Sequence, residues 1–484
     1  MISRTDVRCY VVGGFIRDSL LGIKTLDLDI AVQGNALEIG ITLAHQTKGK
    51  CITLDKKRGI YRVITNTFSS EIQIDIVEAT GSIQKNLSER DFTINSMAID
   101  ISNFTKSYKN TIGINEIIDP YNGVKNLEAG ELHVTSPESL RADPIRLIRA
   151  IRIASQLNLT IPVELKSKIA AHAHLITRVS NERTRTEFLN ILKLKNSGVW
   201  LRIMDELGLL TQIIPEIEWS KKISQPQEHY WDVFNHIIET VTKIEEIFEH
   251  CLPPKNQERN EANPLLSYIP VYEDMYNHFN IIIGNGHTRI VTSKLASLLH
   301  DIAKPMTKTI DPTGKIRFLG HAEEGAIISE KILKNLKCSN TLIKTVSTQV
   351  KYHLRPGQIS PKTQMPSNKA MNKYFRDLST VSIDTLYLNM ADYMAARGPL
   401  IDEYEWKDYC SGINHILKNG LIKNTPDKIP KLLSGQDIMN RLNLNSSPLI
   451  GEILLEVREA QDDGIIKNKD EALIYIEKFV SLGE

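Results

Sequence analysis

Asp27 and Asp29 stand two residues apart in the run Asp27-Leu28-Asp29-Ile30, which reads as a β-strand. On a strand that spacing puts both carboxylates on one face. Two neighbouring carboxylates call for a cation, and oxygen-only donors suit a hard divalent ion. Upstream, the apolar run Cys9 to Val12 enters Gly13-Gly14 and then a short helical segment carrying Arg17. A glycine pair ahead of a helix leaves backbone N–H groups free to meet phosphate. Metal-holding acids beside a phosphate cradle are the minimum needed to move a nucleotidyl or phosphoryl group. A third acid, Asp75, lies in Ile72-Gln73-Ile74-Asp75-Ile76-Val77, where alternation sets Gln73 and Asp75 opposite three isoleucines.

Two further constellations carry chemistry. In Arg90 to Asp100 the spacing of Phe92, Ile94 and Met97 predicts a short buried helix, leaving Arg90, Asp91 and Asn95 to face a ligand or to cap. Asp143-Pro144 then starts a helix running to Leu157, with Arg146, Arg149 and Arg152 stacked at steps of three. Asp offers acceptors and Arg donors, so Asp143 with Arg146 could match the polar edge of a base. Further on come His236, the adjacent His300-Asp301, His321, His353 and Asp392, each in or beside a helical pattern. Imidazole and carboxylate together suit zinc, nickel, manganese, iron or magnesium with open water positions.

These residues need more than one core to hold them. At 484 residues the chain exceeds a single ordinary core. The boundaries read as a mixed strand–helix head over 1–136, a helical neck over 137–217, a helical domain with the histidines over 218–410 and a helical tail over 411–484. The expected fold class is α+β: a small mixed-sheet head followed by all-helical domains. Asn181 is the expected N-cap of the helix through Leu192. Residues 117–130 read as a turn-rich connector, and 249–266 as a polar excursion. An apolar content of 41% with 24% charged residues is that of a soluble globular protein. A net charge of +1 excludes nucleic-acid binding by global charge, so any RNA surface must be local. Five scattered cysteines without a CxxC pair read as reduced thiols. No apolar run has membrane-spanning length, and the first strand begins too near Met1 for a signal peptide, so a cytoplasmic protein is expected.

In order along the chain, VVGGFIRD, DLD, ERDFTIN, DPYNGVKNL, ADPIRLIRAIR and ERTRTE resemble the motifs of class II tRNA nucleotidyltransferases. Those are the CCA-adding enzymes, with bacterial poly(A) polymerases as relatives. The later His and Asp pattern resembles the HD phosphohydrolase superfamily. The resemblance implies a polymerase-beta-like head. It places Gly13, Gly14 and Arg17 at a triphosphate, Asp27 and Asp29 on catalytic Mg2+, and Asp75 at the attacking 3′-hydroxyl. Arg90, Asp91 and Asn95 match the motif that contacts sugar and phosphates. Asp143 and Arg146 match a protein template that reads C or A, with Arg149 and Arg152 following along the nucleotide-binding helix face. The implied reaction adds C and A to tRNA from CTP and ATP. His236, His300, Asp301, His321, His353 and Asp392 would hold a transition metal or Mg2+ in the HD domain. Three departures stand out: Ala142 and Glu89 replace a Glu and an Arg of the family motifs, and only residues 76–89 separate Asp75 from Arg90. Members that add only CC lack a loop in that interval, so a CC-only enzyme working with a separate A-adding partner is an alternative. A phosphohydrolase centred on the HD domain and a poly(A) polymerase are the others.

Overall fold

The computed structural model describes residues 7–66, 71–107, 113–252, 263–360, 365–423, 431–462 and 464–481. The chain forms two compact units, one of residues 1–194 with 203–213, the other of 195–202 with 214–484.

The first unit is built on a mixed sheet. Its strands are β1 (Arg8–Val12), β2 (Asp27–Gln33), β3 (Lys50–Asp55), β4 (Ile60–Asn66), β5 (Glu71–Glu78), β6 (Ala98–Asp100) and β7 (Ile117–Ile118). They lie in the order β3-β4-β5-β2-β1-β6-β7. β2 and β5 run parallel, their neighbours antiparallel. Strand alternation separates two surfaces. Cys9, Ile30, Val32, Val63, Ile74 and Ile76 pack against helix α2 (Ala36–Gln46) through Ile39 and Ala44. Each fully buried aliphatic side chain there contributes roughly 1.5–3 kcal/mol, which lets the same strands carry acids on the opposite face. That face is covered over β1 and β2 by Ile83 and Leu87 of helix α3 (Ile83–Ser88), packed on Tyr10, Val12 and Ala31.

Two local expectations are corrected. Residues 90–100 form no helix beyond a single 3₁₀ turn, Thr93–Asn95, before β6. Phe92 and Ile94 are buried as expected, and the backbone N–H of Thr93, the first residue of the turn, is donated to the His133 carbonyl (2.9 Å). The N-cap position of the helix Asn181–Lys193 is Ser180, and Asn181 is already helical. The connector at 117–130 carries β7 and a helix, Gly123–Glu128, and closes the sheet beside β6. Asp143-Pro144 does break the chain, separating the helices Ser139–Ala142 and Ile145–Leu157.

Helices make up most of the second unit. Val233–Cys251, Arg289–Leu299, Asn340–Tyr352 and Ser382–Arg397 pack on one another around buried Ile237, Val241, Leu295 and Leu388, with His321–Asn335 lying on Asn340–Tyr352. Two short hairpins interrupt them, Ile282–Gly284 with His287–Thr288 and Lys308–Ile310 with Ile316–Phe318. The helices Gly435–Leu442, Pro448–Asp462 and Lys469–Ser481 share their own core of Ile438, Ile453, Val457 and Ile476. Most of the polar excursion, 253–262, lies outside the described residues. Among the described residues no helix is long and apolar enough to cross a membrane.

Candidate functional sites

Strand register assembles the acids. Asp29 on β2 lies beside Asp75 on β5, Asp75 beside Arg62 on β4, and Arg62 beside Ile52 on β3, while Asp27 pairs with Gln73. Paired residues share a face, so the three carboxylates form one cluster on the side opposite α2. Arg62 grips both Asp75 oxygens, Nε to Oδ1 at 2.7 Å and Nη2 to Oδ2 at 2.8 Å. This grip fixes the plane of the Asp75 carboxylate and leaves one lone pair on each oxygen free. Burial, set against the Arg90 charge and reinforced by Asp27 and Asp75, pushes the Asp29 carboxyl up to about 6. Three carboxylates set against two guanidinium groups, with oxygen donors only, fit a hard divalent cation.

A side chain at Gly13 would force this arrangement to shift. Its φ is +80°, and a Cβ there would sit 2.7 Å from Arg90 Nη1 and 2.8 Å from Asp29 Oδ2. Its own N–H is donated to the Met97 carbonyl at 3.3 Å, so the turn contributes close approach rather than that donor. Burial draws the Arg90 guanidinium down, while Asp29 and Asp91 oppose the shift. Arg17 donates to Asp18 (2.8 Å) and to Asn95 Oδ1 (2.6 Å), and Asn95 Nδ2 donates to Asp91 at 3.1 Å. Arg149 then joins Asp91 Oδ2 (3.1 Å) to Glu187 Oε1 (3.0 Å), and Arg152 meets Glu187 Oε2. Burial opposes the Asp91 charge, but Arg149, Asn95 and the Phe92 N–H hold its pKa below the usual carboxylate value. Arg149 and Arg152 are thus tied through Glu187 into a brace that ends on Asp91.

The ERTRTE segment supplies that brace through Glu187, and its Arg183 meets Asp143 Oδ2 at 2.7 Å. Arg146 donates to Ser139 Oγ (2.7 Å) and the Glu89 carbonyl (2.7 Å), which fixes the plane of its guanidinium. Asp143 and Arg146 line a cavity of about 690 Å³, together with Lys56, Lys57 and Arg58 of the β3–β4 turn.

In the second unit all six expected ligands converge. His236, His300 and Asp301 form one group, His300, His353 and Asp392 a second, and Asp301, His321 and His353 a third, with the donor atoms of each within 4.8 Å of one another. His236 Nε2 lies 3.1 Å from His300 Nε2, 3.2 Å from Asp301 and 3.0 Å from Asp392. The Nδ1 atoms of His300, His321 and His353 point at the carbonyls of Ser297 (2.8 Å), Phe318 (2.6 Å) and Val350 (2.7 Å). Each ring so held turns Nε2 inward as a lone-pair donor. His321 Nε2 is buried without a hydrogen-bond partner among the described residues. Imidazole nitrogens and carboxylate oxygens converging in a closed site fit bound cations.

Sequence reasoning missed four residues of these sites. Arg62 and Glu187 emerge only from register and tertiary packing. Lys304, 2.6 Å from Asp301 Oδ2, was readable as the i+3 neighbour of Asp301. His229 lies 3.5 Å from Lys304 Nζ, its pKa lowered to about 3 by burial and by the Lys304 charge; no local pattern marks it.

Residues 9–133 match the poly A polymerase head domain, 158–220 the probable RNA and SrmB-binding site of polymerase A, and 274–397 the HD domain. His236, a member of the ligand cluster, lies outside that last match. An A-adding tRNA nucleotidyltransferase of Deinococcus radiodurans is 29% identical over 97% of this chain and 95% of its own length. A CC-adding tRNA nucleotidyltransferase of Thermus thermophilus is 25% identical over 98% and 94%. The solved complex of a CCA-adding enzyme with ATP superimposes with a TM-score of 0.61 at 20% identity, covering 98% of this chain and 92% of that one.

Proposed function

The chain belongs to the class II tRNA nucleotidyltransferase and poly(A) polymerase family and carries an HD domain, and on that premise we propose that it extends the 3′ end of tRNA with C and A from CTP and ATP. The observation that carries this reading is the acid cluster, Asp27, Asp29 and Asp75, on an open sheet face beside Gly13 and Arg90. The 3′-oxygen attacks the α-phosphorus, a P–O bond forms, and the bond to the departing pyrophosphate breaks. Held by Asp27 and Asp29, Mg2+ would supply charge neutralisation at the phosphates and acidify the attacking hydroxyl. Gly13 admits the triphosphate to the cluster, and Arg90 and Arg17 face it with positive charge. Asp143 accepts from the exocyclic amine that C and A share, and Arg146 donates to the adjacent ring nitrogen. U and G present the reverse order there and would leave both groups unpaired, a strong basis for rejection.

A second reading, CC-only addition, is supported by one observation of the chain. Between β5 and Arg90 stand only residues 79–82, helix α3 and Glu89. Relatives that match nearly its full length include A-adding and CC-adding specialists. Incubation with tRNA ending at the discriminator base, offered CTP alone, ATP alone and both, separates the readings. Three added nucleotides with both substrates support full CCA addition, and two added with CTP support CC-only. A long A tail identifies a poly(A) polymerase. No addition under any condition refutes the proposal.

The six-ligand cluster supports a second activity in the HD domain, metal-dependent phosphoester hydrolysis. His300, Asp301 and their neighbours would hold a divalent cation, which would supply Lewis acidity toward a phosphate ester. Its substrate class is tested by release of phosphate from terminal phosphates and by ring opening of cyclic phosphates to monoesters.

A further inference from the structure

We propose that the β3–β4 hairpin seats the RNA strand being extended, its basic tip taking backbone phosphates and its open face taking the terminal riboses and bases. This rests on the nucleotidyltransferase reading and adds to it the path of the acceptor strand.

The open face comes first. At its inner end the row of Val12, Asp29, Asp75, Arg62 and Ile52 is covered, because Val12 packs against α3. At its outer end lies Ile52, 44% exposed on the edge strand. Leu54, in the bulge that follows, is 48% exposed. An RNA end that reaches Asp75 and Asp29 from the uncovered side must cross this apolar margin. Flat, sequence-blind contact with riboses and bases suits a strand whose terminus changes with every addition.

The tip is a built turn. Asp55 Oδ1 accepts from the backbone N–H of Lys57 (2.9 Å) and of Arg58 (3.1 Å). Gly59 closes the turn at φ +62°, where a Cβ would meet Glu78 Cβ at 2.7 Å. So held, Lys56, Lys57 and Arg58 project three positive charges. Lys56 and Lys57 are exposed and have no ion-pair partner among the described residues. The Arg58 side chain is 78% exposed and lies 3.8 Å from Asp55.

Placement completes the argument. The tip lines the same cavity as Asp143 and Arg146. With the incoming base assigned to that pair and its phosphates to Gly13 and Arg90, the anion left for the tip is the acceptor strand. In a chain of net charge +1, such a local patch is how RNA would be held.

The test compares wild type with the K56A/K57A/R58A triple variant and with Ile52→Ser. For the triple variant, KM for tRNA is expected to rise about tenfold, with kcat and the KM for CTP and ATP unchanged. Its salt dependence of tRNA binding should become shallower by about two in log–log slope, three lost contacts at roughly 0.7 each. Ile52→Ser should raise KM for tRNA without altering the slope. A rise in nucleotide KM instead would assign the tip to the triphosphate and overturn the inference. An active wild type with both variants unmoved overturns it as well, leaving the underlying reading intact. A wild type that never extends tRNA sinks that reading, and the path with it.

Discussion

Asp29→Asn should stabilise the first unit while destroying its activity. The Asp29 carboxyl is raised from 3.8 to about 6, first by burial and then by Asp27 and Asp75, against the opposing charge of Arg90. At about 1.4 kcal/mol per unit, ionising it in the folded state costs roughly 3 kcal/mol. The sign follows from proton counting. Between about pH 4 and 6 the folded unit keeps a proton that the unfolded chain releases, so stability falls as pH rises and the full penalty stands above pH 6. Asparagine mimics the protonated acid. In chelator, the variant should therefore exceed wild type by up to about 3 kcal/mol at pH 8 and match it near pH 4. Saturating Mg2+ should restore part of the deficit to wild type, about 2.7 kcal/mol at a hundredfold excess over Kd, and little to the variant. All four tryptophans, Trp200, Trp219, Trp231 and Trp406, lie in the second unit, so their fluorescence does not report on the head. Amide hydrogen exchange in β2 and β5 does. A variant no more stable than wild type at pH 8, or a difference that ignores pH, would refute the reasoning.

Gly13→Ala must displace Arg90 and Asp29, because its Cβ has no room and its φ is left-handed; misplacement on that scale should lower kcat roughly a hundredfold in a single-turnover assay. Arg152→Gln should lower head stability by about 2 kcal/mol, discounted for partial exposure, as Glu187 loses a partner. Its KM for CTP and ATP should not move; a raised nucleotide KM would return Arg152 to the binding site. His300→Ala should reduce bound metal by elemental analysis and leave tRNA extension within twofold of wild type.

Periodicity and residue type made the strands that carry Asp27, Asp29 and Asp75 readable, along with the face each acid takes. Spacing along the chain could not show that β2 and β5 are parallel neighbours, which is what sets Asp29 beside Asp75. The arginine stripe shows the limit of a helical pattern. Arg146, Arg149 and Arg152 do share a face, but Glu187, the partner of Arg149 and Arg152, comes from another helix. Because the histidines are rare and chemically distinctive, their gathering could be inferred from type alone. Lys304 was within reach of a local pattern as the i+3 neighbour of Asp301, whereas His229 could not be ranked above other polar residues until packing placed it beside Lys304. The helix expected at 90–100 failed because apolar spacing in so short a segment fits a turn followed by a strand equally well.

The account stands or falls on whether the acid cluster drives nucleotide addition. Single-turnover extension of a tRNA lacking CCA, with labelled CTP and Mg2+, compares wild type with Asp27→Ala and Asp29→Ala, their folding verified by hydrogen exchange. Extension by wild type, with both variants slowed at least roughly a thousandfold, is the result the account predicts. Full-rate extension by either variant would contradict it.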